Sequence, residues 1–392
     1  MLARILFFLA ALALVFAPAA STPALAQASP YEINVILALT GAAAFIGTSE
    51  QKSLQLLEAL TNKTGGIKGR PVKFVIADDQ SNPQVTVQLA NQLIAKNVPV
   101  ILGPTYTATC LAVGPLVKAG PVDYCFSPSI SPPAGSFQYS ATVSTRDDAR
   151  ALLHFYRDHG WTKVALITST DASGQQFEAY FDDALKLPEN AAMTAVTHEH
   201  FNPADLNITA QAERIKASGA QAMIGWTAGT PTGTLLRGLH DAGIDIPVAS
   251  GNGNMIHAQL IQYASFLPKE LLFPGRRSLV QDPAAPKDVK AAESAYFDAF
   301  KAAGVKPNIA HTLAWDPALL VIDAIKKLGT DATAEQLNTY IQHLSGWTGI
   351  NGVYDFRDGS QRGIGIDGVV IDRWDAAKED FVPVSKPGGG LK

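Results

Sequence analysis

The sequence predicts an α/β fold of two Rossmann-like lobes joined by a three-strand hinge. From Tyr31 onward, short β-branched runs alternate with longer segments of helical period, the pattern of parallel strands linked by crossover helices. The same order of runs occurs twice. The chain's 392 residues, 47% of them hydrophobic, exceed one compact domain and suffice for two cores.

In the first half "INVILAL" leads to the helical "SEQKSLQLLEALTNK", "VKFVIADD" to "PQVTVQLANQLIAK", and "VPVILGP" to "ATCLAVGPLVKA"; "PVDYCFS" closes the set. In the second, "KVALITS" precedes a helix over 175–185, "MTAVTHEHF" precedes "ADLNITAQAERIKAS", and "AQAMIGW" precedes "TGTLLRGLHDA"; "DIPVAS" closes the set. Spacing agrees too: Asn82 stands 21 residues before Gly103 and Asn202 stands 23 before Gly225, while Gly103 to Ser127 is 24 and Gly225 to Ser250 is 25. This is a tandem duplication.

Between the halves, "STRDDARALLHFYRDHGW" opens on a capping Ser/Thr/Asp cluster and turns helical at about Asp147, marking a crossover. Later helices over 287–303 and 315–327 must cover one lobe. The stretch "NGVYDFRDGSQRGIGIDGVVIDRW" reads as a hairpin turning at Asp358–Gly359 and ending in a strand. Three crossings between lobes are expected. The division is 1–26 as leader, 27–146 with 277–348 as the first lobe, 147–276 with 349–384 as the second, and 385–392 as a flexible tail.

The leader follows from Arg4, the apolar run "ILFFLAALALVFA" and "ALA" at Ala24–Ala26 before Gln27, the signature of a cleaved secretory signal. No later stretch approaches the roughly 20 apolar residues of a spanning helix. A soluble periplasmic protein, monomeric and without stable membrane insertion, is expected; no cysteine near the cleavage point offers a lipid anchor. With 17% charged residues and a net charge of −4, there is no basic surplus for nucleic acid or anionic lipid. Cys110 and Cys125 are the only cysteines. An oxidising compartment favours their pairing, the alternative being two small buried apolar residues.

Ligands of open α/β sheets bind beyond the carboxyl ends of the strands. The first half offers "TGAAAFIG", "GPTYTAT" and "SPSIS" there, the second "STDASG", "GWTAGT" and "SGNGN". Their hydroxyls, amides and backbone N–H groups suit a small anion such as a carboxylate. Gly, Ser, Thr and Asn are also ordinary turn and cap residues, but six such loops at matching places argue for a site. Phe45, Tyr106 and Trp226 lie among them as candidate apolar walls.

On "LALTGAAAFIG", "NKTGGIKGRPVKFVIADDQSNP", "ILGPTYTAT", "FSPSISPP", "HGWTKVALI", "LLRGLHDAGIDIPV" and "VYDFRDGSQRG", the chain resembles the type I periplasmic solute-binding proteins of ABC importers, in the leucine/isoleucine/valine-binding family, from about Tyr31 to Trp374. The resemblance implies a ligand-binding protein that closes by its hinge and delivers to a membrane permease, without cofactor or metal. It also implies a ligand carboxylate held by the loops matching Thr107, Ser129 and Ser131, with aromatic side chains around it; Thr227, in "GWTAGT", is a further candidate contact from that loop's own composition. Where amino-acid binders of the family place an acid to hold the ligand's ammonium, this chain offers Asn252, and a family tyrosine aligns with Ser173. His311 matches a position where the family often places a cleft-facing aromatic residue.

Burying an ammonium without a counter-charge costs several kcal/mol, so the favoured ligand is an aromatic or other hydrophobic acid lacking an amine. Asp171 is a possible replacement charge and keeps an amino-acid ligand open. Two other classes are alternatives. An enzyme lacks support: there is no GxSxG, P-loop or HExxH, His198 and His200 alternate on one strand, and "GIGIDG" at 363–368 satisfies GxGxxG but leads into a strand. A sensory receptor of the same two-lobed design is separable only by genomic neighbourhood.

Overall fold

A computed structural model describes residues 29–281 and 285–392; the expected secretory leader lies outside the described residues. The first lobe is built on a five-stranded parallel sheet. Its strands are β1 (Tyr31–Leu37), β2 (Val72–Asp78), β3 (Val100–Leu102), β4 (Val122–Cys125) and β5 (Gln138–Ser140), in the order β2-β1-β3-β4-β5. Its first helices are α1 (Ala44–Lys63), α2 (Pro83–Ala95) and α3 (Thr107–Val113). Asn82 caps α2 by accepting the N–H groups of Gln84 and Val85, with Pro83 preset at the first helical position.

The chain then passes to the second lobe through α4 (Thr145–Asp158), capped by Ser144. There follow β6 (Lys163–Ser169), α5 (Ala172–Leu185), β7 (Thr194–Phe201), α6 (Thr209–Ala217), β8 (Ala222–Trp226), α7 (Pro231–Asp241), β9 (Val248–Ser250), α8 (His257–Gln262) and β10 (Leu271–Arg276). These strands lie β7-β6-β8-β9-β10, all parallel. That is the first lobe's order repeated strand for strand; the spacing predicted the repeat over the first four strands of each lobe and did not include β5 or β10.

Return to the first lobe brings α9 (Lys287–Ala302), α10 (Ile309–Leu328), α11 (Ala334–Gln342) and the hairpin β11 (Ser345–Gly349) with β12 (Gly352–Asp355). The last crossing delivers β13 (Val369–Asp375) and β14 (Asp380–Pro383), antiparallel additions beside β10. Among the described residues three segments thus join the lobes, over 141–144, 277–281 and 356–368. Each carries one non-glycine residue in the left-handed region: Thr142 (φ 52°), Gln281 (φ 48°) and Gln361 (φ 53°).

Two buried arginines bind this seam. Arg276 donates to Thr142 Oγ1 (3.1 Å), Val143 O (3.3 Å) and the Asp148 carboxylate (2.8 Å). Arg362 donates to the carbonyls of Ala141, Thr142, Pro128 and Ile130 at 2.7–3.1 Å.

Several expectations need correction. The hairpin turns at Ile350–Asn351 and pairs β12 with β11; Asp358–Gly359 is a turn within the third crossing. Asp316 of α10 accepts the N–H groups of Ile350 and Asn351 and the Tyr354 hydroxyl, so 349–356 packs with the first lobe. The tail at 385–392 is folded down: Ser385 bridges to Leu391, and Gly389 lies against the Ala151 carbonyl of α4. Helix α1 starts at Ala44, ahead of the expected start at Ser49, without a side-chain cap; just before it Ser81 Oγ accepts the Ala43 N–H at 3.0 Å.

Cys110 and Cys125 form a disulfide, Cα–Cα 5.8 Å, tying α3 to β4 under the loops that follow β3 and β4.

Candidate functional site

The carboxyl ends of the two sheets face each other, and the lobes are drawn together. Thr230 N donates to Ala42 O across the gap at 3.1 Å, and Ser131 Oγ meets Tyr180 Oη at 2.7 Å. Between them lies a cavity of ≈ 40 Å³. All six predicted loops reach it. The loop after β1 supplies Ile46, that after β3 supplies Thr105, Tyr106 and Thr107, and that after β4 supplies Ser127, Pro128 and Ser129. From the second lobe come Ser173, then Trp226, Thr227 and Ala228, then Gly251, Asn252 and Gly253; α10 adds Leu313.

None of these fifteen residues carries a charged side chain. The first lobe's wall is hydroxyl-rich: Thr107 Oγ1 and Ser127 Oγ lie 2.9 Å apart, and Ser129 Oγ is 2.9 Å from Thr145 Oγ1. Behind Thr105 stands Glu50, fully buried and 2.5 Å from the Thr105 hydroxyl. Burial pushes its carboxyl up to about 8, so it is neutral at pH 7. On the other wall Trp226 stacks flat on Phe177, ring centroids 3.8 Å apart, giving a rigid aromatic floor. Thr227 Oγ1 is buried and has no hydrogen-bond partner.

Asn254 has a supporting role. Its side chain accepts the Gly229 N–H and donates to Thr227 O and Ser250 Oγ, locking the loops after β8 and β9 together. Asn252 points its Nδ2 at Asp148 Oδ2, 2.7 Å away.

Of the residues singled out from sequence, Tyr106, Thr107, Ser129, Ser173, Trp226, Thr227 and Asn252 line the cavity; three do not. Phe45 sits in the first turn of α1 and packs on the first lobe's core, while its neighbour Ile46 takes the cavity wall. Ser131 is exposed at the rim, where it contacts Tyr180. His311 is a buried cap of α10: its Nδ1 accepts the Asn308 N–H (2.9 Å) and its ring meets Phe300 edge-on. Burial drives its pKa down to about 3, so it stays neutral. Asp171 is engaged as well, capping α5 through Gly174 N and receiving the Tyr106 hydroxyl. Thr105, Ser127 and Leu313 went unrecognised, although Thr105 and Ser127 lie inside or beside the quoted loops.

The match to a family model described as "Periplasmic binding protein" spans residues 30–378. The chain belongs to the periplasmic binding protein family. Members are periplasmic proteins of ABC-type transport that bind small molecules and work with membrane permeases. Among curated relatives, Leu/Ile/Val-binding protein homolog 3 of Brucella melitensis is 26% identical over 66% of this chain and 71% of its own length. A Leu/Ile/Val-binding protein of Rhizobium johnstonii is 25% identical over 79% and 83%. Two solved structures share the fold of this periplasmic binding protein. The Streptococcus pneumoniae branched-chain amino acid binding protein with isoleucine has TM-score 0.74 and 19% identity, over 91% of this chain and 100% of its own. A Rhodopseudomonas palustris solute-binding protein with benzoate has TM-score 0.75 and 16% identity, over 93% and 98%. Among the described residues no helix is long and apolar enough to cross a membrane.

Proposed function

We propose that this periplasmic binding protein captures a small hydrophobic or aromatic carboxylate lacking an amine, closes over it, and presents the closed form to a permease without chemically altering the ligand. The carrying observation is the uncharged wall: three hydroxyls from Thr107, Ser127 and Ser129 gather on the first lobe, opposite Trp226, with no carboxylate among the lining residues to receive an ammonium. A carboxylate accepts hydrogen bonds from such hydroxyls, whereas an ammonium enclosed there loses its hydration without an ionic partner. Closure follows because only the closed form touches the ligand from both sides.

The relatives' names favour a second reading, a branched-chain amino acid. The isoleucine-bound and benzoate-bound structures resemble this fold about equally, with TM-scores of 0.74 and 0.75, so fold alone does not choose. Asp171 is the acid the sequence offered for an ammonium, but it is occupied as a helix cap and as acceptor from Tyr106.

The test is a thermal-shift screen of benzoate, phenylacetate and phenylpropionate against leucine and isoleucine, followed by calorimetry. Stabilisation by the amine-free acids is expected. Tight capture of leucine with the amine-free acids ignored overturns the proposal.

A further inference from the structure

We infer that the ligand carries, besides its carboxylate, a neutral hydrogen-bond donor such as a hydroxyl, received by Asn252 Oδ1, and that Asp148 imposes this requirement as a positioning residue. The inference rests on the carboxylate reading above and adds a demand that reading does not make.

The argument begins behind the cavity wall. Asp148, on α4, is fully buried and paired with the buried Arg276 at 2.8 and 3.3 Å. Arg276 is itself fixed to the hinge through Thr142 Oγ1 and Val143 O. Burial raises the Asp148 carboxyl to about 6 against the pull of Arg276, so at pH 7 it is still mostly ionised, and an ionised carboxylate only accepts hydrogen bonds. The Asn252 amide therefore has one permitted orientation. Its Nδ2 faces Asp148 Oδ2 at 2.7 Å, since the flipped amide would set oxygen against a charged oxygen. Its Oδ1 is thereby reserved for the other side, and among the described residues no donor reaches it.

Asn252 lines the cavity, and with Nδ2 committed to Asp148 its Oδ1 is the side-chain polar atom it has left to offer a ligand. Beside it lies the unpaired hydroxyl of Thr227. The second lobe thus offers an acceptor where the first offers hydroxyls, and a ligand that satisfies both walls carries a carboxylate at one end and a donor at the other. A neutral donor fits because the Asp148 charge is already neutralised by Arg276. A site built to hydrogen-bond a hydroxyl discriminates strongly against the analogue that lacks it.

The test compares matched acids by calorimetry: benzoate with 3- and 4-hydroxybenzoate, and 3-phenylpropionate with 3-phenyllactate and phenylalanine. In the wild type at least one hydroxylated acid is expected to bind tenfold or more tightly than its parent. Asn252→Leu, which keeps volume and removes the acceptor, is expected to bring that ratio below threefold while the parent acid still binds. Asp148→Asn frees the Asn252 amide to turn and is expected to shrink the ratio likewise; if Arg276, left without its partner, prevents folding, Asn252→Leu alone decides. Parents binding as tightly as their hydroxylated forms in the wild type, or an unchanged ratio in Asn252→Leu, overturns the inference and leaves the carboxylate reading standing. Binding of phenylalanine with no amine-free acid bound defeats the carboxylate reading itself.

Discussion

Across the cleft, the Tyr106 hydroxyl of the first lobe donates to the Asp171 carboxylate of the second. Asp171 is held in place by Ser169 Oγ (2.7 Å) and Gly174 N (3.1 Å). Burial, reinforced by the neighbouring carboxylate, raises the Tyr106 pKa, so the phenol remains a donor at every physiological pH. The pair forms only when the lobes meet, and it acts as a clasp on the closed state.

Tyr106→Phe removes the clasp and keeps the ring. A charge-assisted hydrogen bond at a partly wet rim is worth about 1–2 kcal/mol, so ligand affinity is expected to fall roughly 5- to 30-fold. Small-angle scattering of the ligand-free variant checks the cause, through a larger radius of gyration than the wild type.

Gly229 adopts φ 75°, and a Cβ there would run into the Ala42 carbonyl of the opposite lobe. Gly229→Ala is expected to prop the cleft open. Binding should weaken more than tenfold, about 1.4 kcal/mol or more, while the change in unfolding free energy from urea titration stays near the ordinary cost of a left-handed alanine, about 1–2 kcal/mol. Undiminished affinity would show that closure tolerates the methyl.

Thr227 Oγ1 is buried without a partner, a liability of about 1–3 kcal/mol until a ligand satisfies it. Thr227→Val should leave the ligand-free protein as stable or more so, yet weaken binding. Chemical unfolding and calorimetry on one preparation separate the two effects.

Glu50, Asp123 and Asp372 are buried carboxyls whose pKa values burial pushes to about 8. Each is raised above its unfolded value, so the native state holds protons that the unfolded chain releases. Their contribution is fully present below the unfolded pKa values, near 4, and is lost as pH rises toward 8, by up to about 1.4 kcal/mol per unit for each group. Unfolding free energies of Asp123→Asn and the wild type between pH 5 and 8 are expected to diverge, with the variant less pH-sensitive.

Opening the Cys110–Cys125 bond, which closes a loop of 15 residues, is expected to cost about 3 kcal/mol of stability. The Cys110→Ser/Cys125→Ser protein, followed by urea unfolding, measures it. Because the bond lies beneath the loops carrying Thr107 and Ser127, affinity is expected to fall too.

The duplicated sheets were legible because strands buried on both faces read as continuous apolar runs. Strand β10 was not, since "LLFPGR" carries Pro274 and Gly275, residues that argue against a strand interior, yet it is buried between β9 and β13. The loops that build the cavity were recognisable from their composition and repeated spacing. Side-chain direction was not: Phe45 and Ile46 are neighbours, and only the helical start at Ala44 decides which faces the cleft. His311, expected to face the cleft, is instead taken up by its own helix cap three residues away. The Asn252–Asp148 contact spans 104 positions, and no local pattern announces it.

The three left-handed residues Thr142, Gln281 and Gln361 sit where the lobes connect, and Thr142 and Gln361 lie beside the arginines that stitch the seam. Side-chain-bearing residues in that conformation cost about 1–2 kcal/mol each, and a cost that differs between the open and closed shapes biases the balance between them. Capture strength and cargo preference therefore have separate controls in this molecule: drift at the axle changes how firmly any guest is held, while the walls alone decide which guest is welcome.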